Sequence, residues 1–400
     1  MINLLPILIP IWIPIIKISD NNITLLDIFI LYFFSISIFY YIRERKYGRM
    51  NFYYIKESFV IMLMGVIWGL TGGFATFYHS GDYIDSFKAI GLYAKKIGLY
   101  LLVPVLFCIL QNRINIKKLI RNCLISSSVV IIFAIISQFS LSISSDRETS
   151  LLFNPNVFGY YCLISTNLSI ATLSYKYRDK CVRILAIFNF LFFLLIIFMS
   201  ASRSALIGII LSFGYWLFVL INRNHIKMKY IVIVCIIIVL TIIFYRPEVL
   251  SERLNEISQY GMEADSVYSR KEAVFLGIEL SAQSPLFGYG FGMINKYATP
   301  YAYKKNKFII YLETTDNLYV DVLLDSGLIG LFIFAFLIYN FWRPPARLID
   351  GLEKMMIKDS IRGSLIGLLI AGIGAQTLYS PFVSCYLLVL VSLLYANKSR

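Results

Sequence analysis

Charge is what this sequence has least of. Asp, Glu, Lys and Arg make up only 15% of its 400 residues, while 58% are hydrophobic; a water-soluble domain carries about a quarter charged. With a mean hydropathy of +0.73, a globular core is excluded, because it cannot hide that much apolar surface, whereas a bilayer can. Histidine is nearly missing: His79 and His225 are the only two. A histidine-built zinc site or proton relay has almost no material, and neither metal nor cofactor is expected. The six cysteines (Cys108, Cys123, Cys162, Cys181, Cys235 and Cys385) all lie in or beside apolar runs, which argues against a disulfide framework or a CxxC metal site. There is no internal repeat and no low-complexity linker.

What is present is a succession of apolar runs long enough to span about 30 Å of hydrocarbon. They fall near 4–18, 23–42, 58–78, 90–110, 119–143, 156–175, 182–200, 203–222, 230–245, 316–340, 361–379 and 382–396. Backbone at that depth has no water to bond, so each run is expected to be helical. The expected fold is an all-α integral membrane protein of about 12 transmembrane helices. Pro6, Pro10 and Pro14 predict a kink in the first run, which has neither a basic leader nor a small-residue cleavage site and so does not read as a removable signal peptide.

The net charge of +14 first points to nucleic acid. That partner is excluded once the charges are placed, since they sit in short clusters between apolar runs. With the N-terminus inside, the even-numbered connections and the C-terminus hold 23 of the 37 basic residues, and the short outer connections only Lys88, Arg147 and Arg203. This is a positive-inside pattern with both termini cytoplasmic. The chain then divides into helices 1–9 over 1–245, an extracytoplasmic loop over 246–315, and helices 10–12 over 316–400. Within the loop, Val267, Val274, Phe275 and Ile278 form an apolar stripe predicting a helix near 264–283. The turn-rich stretch Ser284–Gly292 follows it.

Three outward-facing helix starts carry polar residues: Asn154-Pro155-Asn156, Ser200-Ala201-Ser202-Arg203 and Thr314-Thr315-Asp316-Asn317. Each offers a cap, free N–H groups and the positive end of a helix dipole. Clustered at one membrane face, such ends bind anions, and Arg203 adds a fork suited to phosphate. Lys95 and Lys96 lie a turn or two below the outer end of the fourth span. Each motif alone also reads as an ordinary N-cap, and Arg203 as an arginine reaching for the interface. Asp321 and Asp325, further into the tenth span, imply either a helix projecting beyond the bilayer or carboxylates facing a wet cavity. Gly288, Gly290 and Gly292 read as a tight turn, because no strand–helix setting for a nucleotide loop surrounds them.

Four of these stretches resemble the bacterial O-antigen ligase/polymerase superfamily. Asn154–Gly159 is similar to its NPN-x-x-G element, Ser200–Leu206 to S-x-S-R-x-x-L, Ser284–Gly290 to P-L-x-G-x-G, and Thr315–Gly330 to its most distinctive stretch. The similarity runs from about 150 to 340. Ligases usually hold His before the Asn of that last stretch; here Asp316 takes its place, while the spacing from Asn317 to Gly327 and Gly330 is kept. The resemblance therefore leans to the Wzy-type polymerase branch.

The resemblance implies a GT-C-like, metal-independent glycosyltransferase of the bacterial cytoplasmic (inner) membrane, active on its periplasmic face. It would transfer a glycan from undecaprenyl diphosphate to the non-reducing end of another lipid-linked repeat unit. Lipid-linked oligosaccharides and membrane lipid are the implied partners, and a chain-length regulator is a further one. Arg203 and Arg270, the latter shortly before the glycine turn, are expected to bind the diphosphate, and Asp316 to be the general base, with Asp321, Asp325 and Glu313 as competitors. Asn154, Asn156, Ser202, Asn317, Asp325, Lys95 and Lys96 complete the expected substrate contacts. A ligase acting on lipid A-core is the alternative enzyme. A lipid-linked oligosaccharide flippase is the alternative of another class, although it would favour charges along a central cavity and a short outer loop.

Overall fold

A computed structural model of the chain describes residues 2–10, 14–18, 21–46, 52–111, 114–140, 154–199, 202–223, 233, 236, 265–304, 314–345, 348–349 and 351–395. The first run is not the kinked helix expected over 4–18. A single turn, α1 (Leu5–Leu8), precedes β1 (Pro14–Ile18), which pairs antiparallel with β2 (Asn21–Thr24). The prolines are the reason: each removes an amide donor and clashes with the preceding turn, whereas the end of an edge strand tolerates Pro14.

The other described elements are helical: α2 (Leu25–Lys46), α3 (Phe52–Ser80), α4 (Tyr83–Tyr93), α5 (Val103–Ile109), α6 (Ile116–Ser140), α7 (Pro155–Ser174), α8 (Lys180–Met199), α9 (Arg203–Asn222), α10 (Asp265–Ser281), α11 (Ile294–Lys304), α12 (Leu318–Trp342), α13 (Leu352–Ala371) and α14 (Pro381–Tyr395). Five stretches among the described residues are long and apolar enough to cross a bilayer: Leu25–Arg43, Lys56–Ser80, Ile116–Ile136, Arg203–Asn222 and Leu318–Trp342. Tyr83–Gly98 and Tyr100–Ile109, bent by 52°, make a sixth if they form one broken span. The protein is thus a helical membrane protein with five or six such helices on view, fewer than the twelve expected. The expected ninth span, 230–245, lies almost wholly outside the described residues.

Two expected spans are displaced. The run 90–110 is interrupted by a π-turn (Ala94–Gly98) and a 3-10 turn (Tyr100–Leu102), a break completed by Pro104 early in α5. The run 361–379 ends instead at Ala371, because Gly372 and Gly374 favour a turn and Pro381 opens the next helix.

Helix α7 occupies the middle of the bundle, buried on nearly every side from Phe158 to Ser174. Its hydroxyls cannot reach water, so Thr166, Ser169, Thr172 and Ser174 each donate to the carbonyl four residues back, at 2.7–2.9 Å. Asn167 Oδ1 accepts from Ser212 Oγ at 2.6 Å and Trp216 Nε1 at 2.7 Å, tying α9 to α7. Helices α9 and α13 cross at Gly208 and Gly367, where a Cβ on Gly208 would stand 2.5 Å from the Gly367 carbonyl oxygen. Close approach of backbones through small residues is how helices pack in lipid. At the other end of these helices Asp359 accepts from Tyr175 Oη at 2.6 Å and pairs with Arg223 at 3.0 Å.

Substitution Gly208→Ala is expected to destabilise the protein by about 1–3 kcal/mol, since backbone cannot yield to the added methyl. Gly214→Ala, with nothing within 4 Å of the new Cβ, is the matched control and should leave the unfolding midpoint in detergent unchanged or raised.

Candidate active site

The entry to α12 is built around one carboxylate. Asp321, 0% exposed, accepts from Thr315 N–H at 2.8 Å and Thr315 Oγ1 at 2.7 Å. Its second oxygen accepts from Gln376 Nε2. These bonds clamp Thr315 onto the helix and hold it against the segment joining α13 to α14. Asn317 then caps α12, accepting from Tyr319 N–H at 3.0 Å and Val320 N–H at 3.1 Å, while its Nδ2 donates to Ile373 O at 2.9 Å. Asp316, between the two, is held at φ +53°, a left-handed conformation to which Asp and Asn are the readiest non-glycine residues. The Asp316 carboxylate is turned outward and pairs with Arg270 Nε of α10 at 3.1 Å, the two side chains being 41% and 43% exposed. Asp316 therefore does not cap the helix; Asn317 does.

The other two helix starts meet beside this pair. Asn154 caps α7, accepting from Asn156 N–H at 2.8 Å and Val157 N–H at 3.3 Å. Ser202, at the cap of α9, makes no side-chain cap bond; its Oγ donates to Asn156 Oδ1 at 3.0 Å. Ser204 Oγ lies 2.7 Å from Tyr160 Oη, and Arg203, half-buried, is the first residue of α9. The segment after α13 joins the two halves: Asn317 reaches Ile373, and a Cβ on Gly374 would stand 3.9 Å from Ser204 Cβ. The starts of α7, α9 and α12 thus converge; the first amides of α7 and α12 are already bonded, to Asn154, Asn317 and the Gly372 carbonyl, whereas α9 carries no side-chain cap bond.

The glycine turn is interlocked with α12. The helix is kinked at Gly327 (φ 63°, ψ −160°), and the opened groups bond the turn: Tyr289 N–H donates to Leu324 O at 2.6 Å, Gly290 N–H to Asp325 O at 3.1 Å and Leu328 N–H to Pro285 O at 2.8 Å. A Cβ at Gly288 would lie 2.5 Å from Leu324 O, and one at Gly327 2.3 Å from the Leu286 carbonyl. The two glycine motifs therefore need each other. His79 Nε2 and Ser284 Oγ reach the Gly288 carbonyl at 3.1 and 2.8 Å. Tyr289 and Tyr297 stack beneath, and burial pushes both phenols above their ordinary value, keeping them neutral. Helix α11 is fastened to α4 by Lys296 and Asp85 at 2.9 Å.

Helix α10 matches the helix expected near 264–283 but its packed face only in part, since Val274 of the stripe does pack. Ala273, Leu276 and Leu280 pack against Val320 and Leu324 of α12, whereas Phe275 and Ile278 of the expected stripe stay 49% and 47% exposed. Protein encloses both α12 carboxylates, so the reading in which they face a wet cavity does not hold. Asp325 is 1% exposed and neither of its oxygens is hydrogen-bonded, so it stands outside the open cluster. Lys95 and Lys96 line a separate cavity. Glu313 and Ser200 lie outside the described residues. Tyr160, Ser204 and Gln376 escaped the sequence reading. The first two adjoin recognised motifs, and the glycines before Gln376 were the available sign of a helix break.

Residues 188–335 match the family model described as O-Antigen ligase. This stretch belongs to the O-antigen ligase/polymerase superfamily. The matched region contains Ser202, Arg203, Arg270, the glycine turn, Asp316, Asn317 and the kink of α12; Asn154, Asn156, Lys95 and Lys96 precede it. A search of curated proteins gives no match to the chain. The match supports a glycosyltransferase-like membrane enzyme of O-antigen processing, with lipid-linked polysaccharide as the substrate class.

Asp321→Ala is expected to leave Thr315 N–H and Gln376 without a partner and to lower stability by about 1–3 kcal/mol. The measurement is the unfolding midpoint of the detergent-purified protein. Gln376→Ala, which removes one partner and keeps Thr315 bonded, should cost less.

Proposed function

We propose that the protein is a polysaccharide polymerase for O-antigen or capsule. It joins a glycan carried on undecaprenyl diphosphate to the non-reducing end of a second lipid-linked repeat unit. The observation that carries this reading is the Arg270–Asp316 pair, half-open beside the converging starts of α7, α9 and α12. A diphosphate entering the cluster takes Arg270 and, with it, Arg203 and the uncapped start of α9. That exchange releases Asp316. The acceptor hydroxyl oxygen attacks the donor anomeric carbon, and the bond from that carbon to phosphate oxygen breaks with its electron pair passing to the diphosphate. The hydroxyl proton goes to Asp316, late in the step, as the forming C–O bond acidifies it. Arginines stabilise the charge developing on the leaving group, so the step needs no metal. Asn154, Asn156, Ser202 and Asn317 set the helix ends that surround the diphosphate. The loop 246–315 supplies Arg270 from the outer face, with both termini cytoplasmic.

The ligase reading draws on the description of the matched family itself. Asp316, in place of the ligase His, favours the polymerase. A deletion strain separates them: single repeat units on core mean that a polymerase was lost, whereas bare core with long lipid-linked chains means that a ligase was lost. Repeat units trapped on the inner side would point to a flippase.

Asp316→Asn keeps the size and the left-handed backbone but cannot take a proton. It is expected to accumulate at the normal level and to lose about 10²–10⁴-fold in activity, leaving single repeat units. Long polymer from this variant would place the base elsewhere. Arg270→Lys and Arg203→Lys replace a bidentate fork by a point charge and should each lower polymerisation about 10- to 100-fold, read as polymer length at normal abundance.

A further inference from the structure

Lys95 and Lys96 are unused by the cluster around Asp316. They occupy the π-turn where α4 gives way to α5, and they line a cavity of about 230 Å³ whose other walls include Leu26, Asp27, Leu92, Tyr100 and Phe382. Neither lysine is ion-paired among the described residues. The carboxylates within reach are engaged elsewhere or closed off. Asp27 accepts from Thr24 N–H at 2.9 Å, Thr24 Oγ1 at 2.8 Å and Tyr100 Oη at 2.9 Å. Asp321 is held by Thr315 and Gln376, and the enclosed Asp325 senses Lys96 without bonding it. The Lys96 ammonium lies over the ring of Tyr379, 5.0 Å from its centroid.

Two helix interruptions gather here: the bent junction of α4 and α5, and the break before Pro381, which starts α14 and lines the cavity. Broken backbone at membrane depth is tolerated where it lines a cavity, and ionisable groups at that depth mark substrate paths. Two cations beside a helix N-terminus, over walls whose one carboxylate, Asp27, already accepts from Thr24 and Tyr100, match a phosphate ester joined to a hydrocarbon chain.

We infer that this cavity holds the diphosphate of the second lipid-linked substrate, the acceptor, while the arginines hold that of the donor. The inference rests on the polymerase reading, which requires two lipid diphosphates to be bound at once. The division suits the side chains. Lysines are point charges that hold an anion whose bonds stay intact, and the arginine forks face the one that becomes a leaving group. The path from this cavity to Asp316 runs past Tyr379 and Gln376, along the segment that joins α13 to α14.

The test uses the full chain in lipid nanodiscs, with undecaprenyl diphosphate as the probe and native mass spectrometry to count bound molecules. Two are expected on the wild-type chain. The double variant Lys95→Gln with Lys96→Gln should retain one, bind the second at least about tenfold more weakly, and recover it when both lysines are Arg instead. Arg270→Gln should also retain one, and the combined variant none. A full count in the Lys→Gln double variant overturns the inference and leaves the polymerase reading standing. Displacement of the second probe molecule by phosphatidylglycerol at equal concentration also overturns it, making the cavity a general lipid-phosphate site. A full count in Arg270→Gln, with loss only in the lysine variant, supports the cavity and removes the arginines from the donor seat.

Discussion

One buried carboxylate organises the site. Asp321 sits where no water reaches, and an isolated charge there would be prohibitive. It is retained because three donors converge on it: Thr315 N–H, Thr315 Oγ1 and Gln376 Nε2. Those donors come from the segment before α12 and from the break between α13 and α14, so satisfying Asp321 fixes both. Only with Thr315 pinned does Asn317 cap the helix, and only between these two anchored residues is Asp316 driven to positive φ and turned outward. The reactive carboxylate of the proposed mechanism is thus placed by a neighbour that does no chemistry. Arg270 arrives on α10, which is seated on α12 by Leu276 and Leu280.

A second constraint comes from the solvent. In hydrocarbon every backbone group must be satisfied internally, so an opened helix has to be rebonded at once. The kink at Gly327 frees groups that the glycine turn occupies through Tyr289, Gly290 and Leu328. The turn could not approach with a Cβ at Gly288, nor α12 receive it with one at Gly327. Two motifs separated by about forty residues in the sequence are therefore halves of one joint, and the joint sets the angle at which the outer helices meet the bundle.

This physics also explains what the sequence disclosed. Long apolar runs announced α2, α3, α6, α9 and α12, because hydropathy reports the solvent directly. The three polar helix starts were legible as caps, since Asn and Ser before an apolar run have few other uses. Their convergence was not legible, because it depends on tertiary contacts such as Ser202 to Asn156. Helix interruptions were the systematic loss. Pro6, Pro10 and Pro14 were read as a kink, whereas the helix keeps only the one turn that holds Pro6, and Pro14 opens a strand. The turn at Lys95 and Lys96 ends at Gly98, a single glycine that composition alone treated as part of a continuous span. The packed face of α10 was misjudged for a related reason: Phe275 and Ile278 are the larger apolar residues, but Gly277 lets the side of Ala273, Leu276 and Leu280 approach α12 most closely.

The two ends of the bundle use the same pair of side chains in opposite ways. At one end Asp359 is 3% exposed and Arg223 28%, and Tyr175 supplies a further hydrogen bond. Breaking a buried pair costs about 3–5 kcal/mol, since a charge is stranded; this one is suited to holding helices. At the other end Arg270 and Asp316 are each more than two-fifths exposed. A pair in that setting is worth about 0–1 kcal/mol. Exchanging the carboxylate for a diphosphate of greater charge, at a site already ringed by helix N-termini, is therefore favourable without disturbing the fold. In the proposed mechanism the exposure that makes the pair a poor clamp lets it open to substrate without movement of α12, because Asp321 and not Asp316 secures that helix.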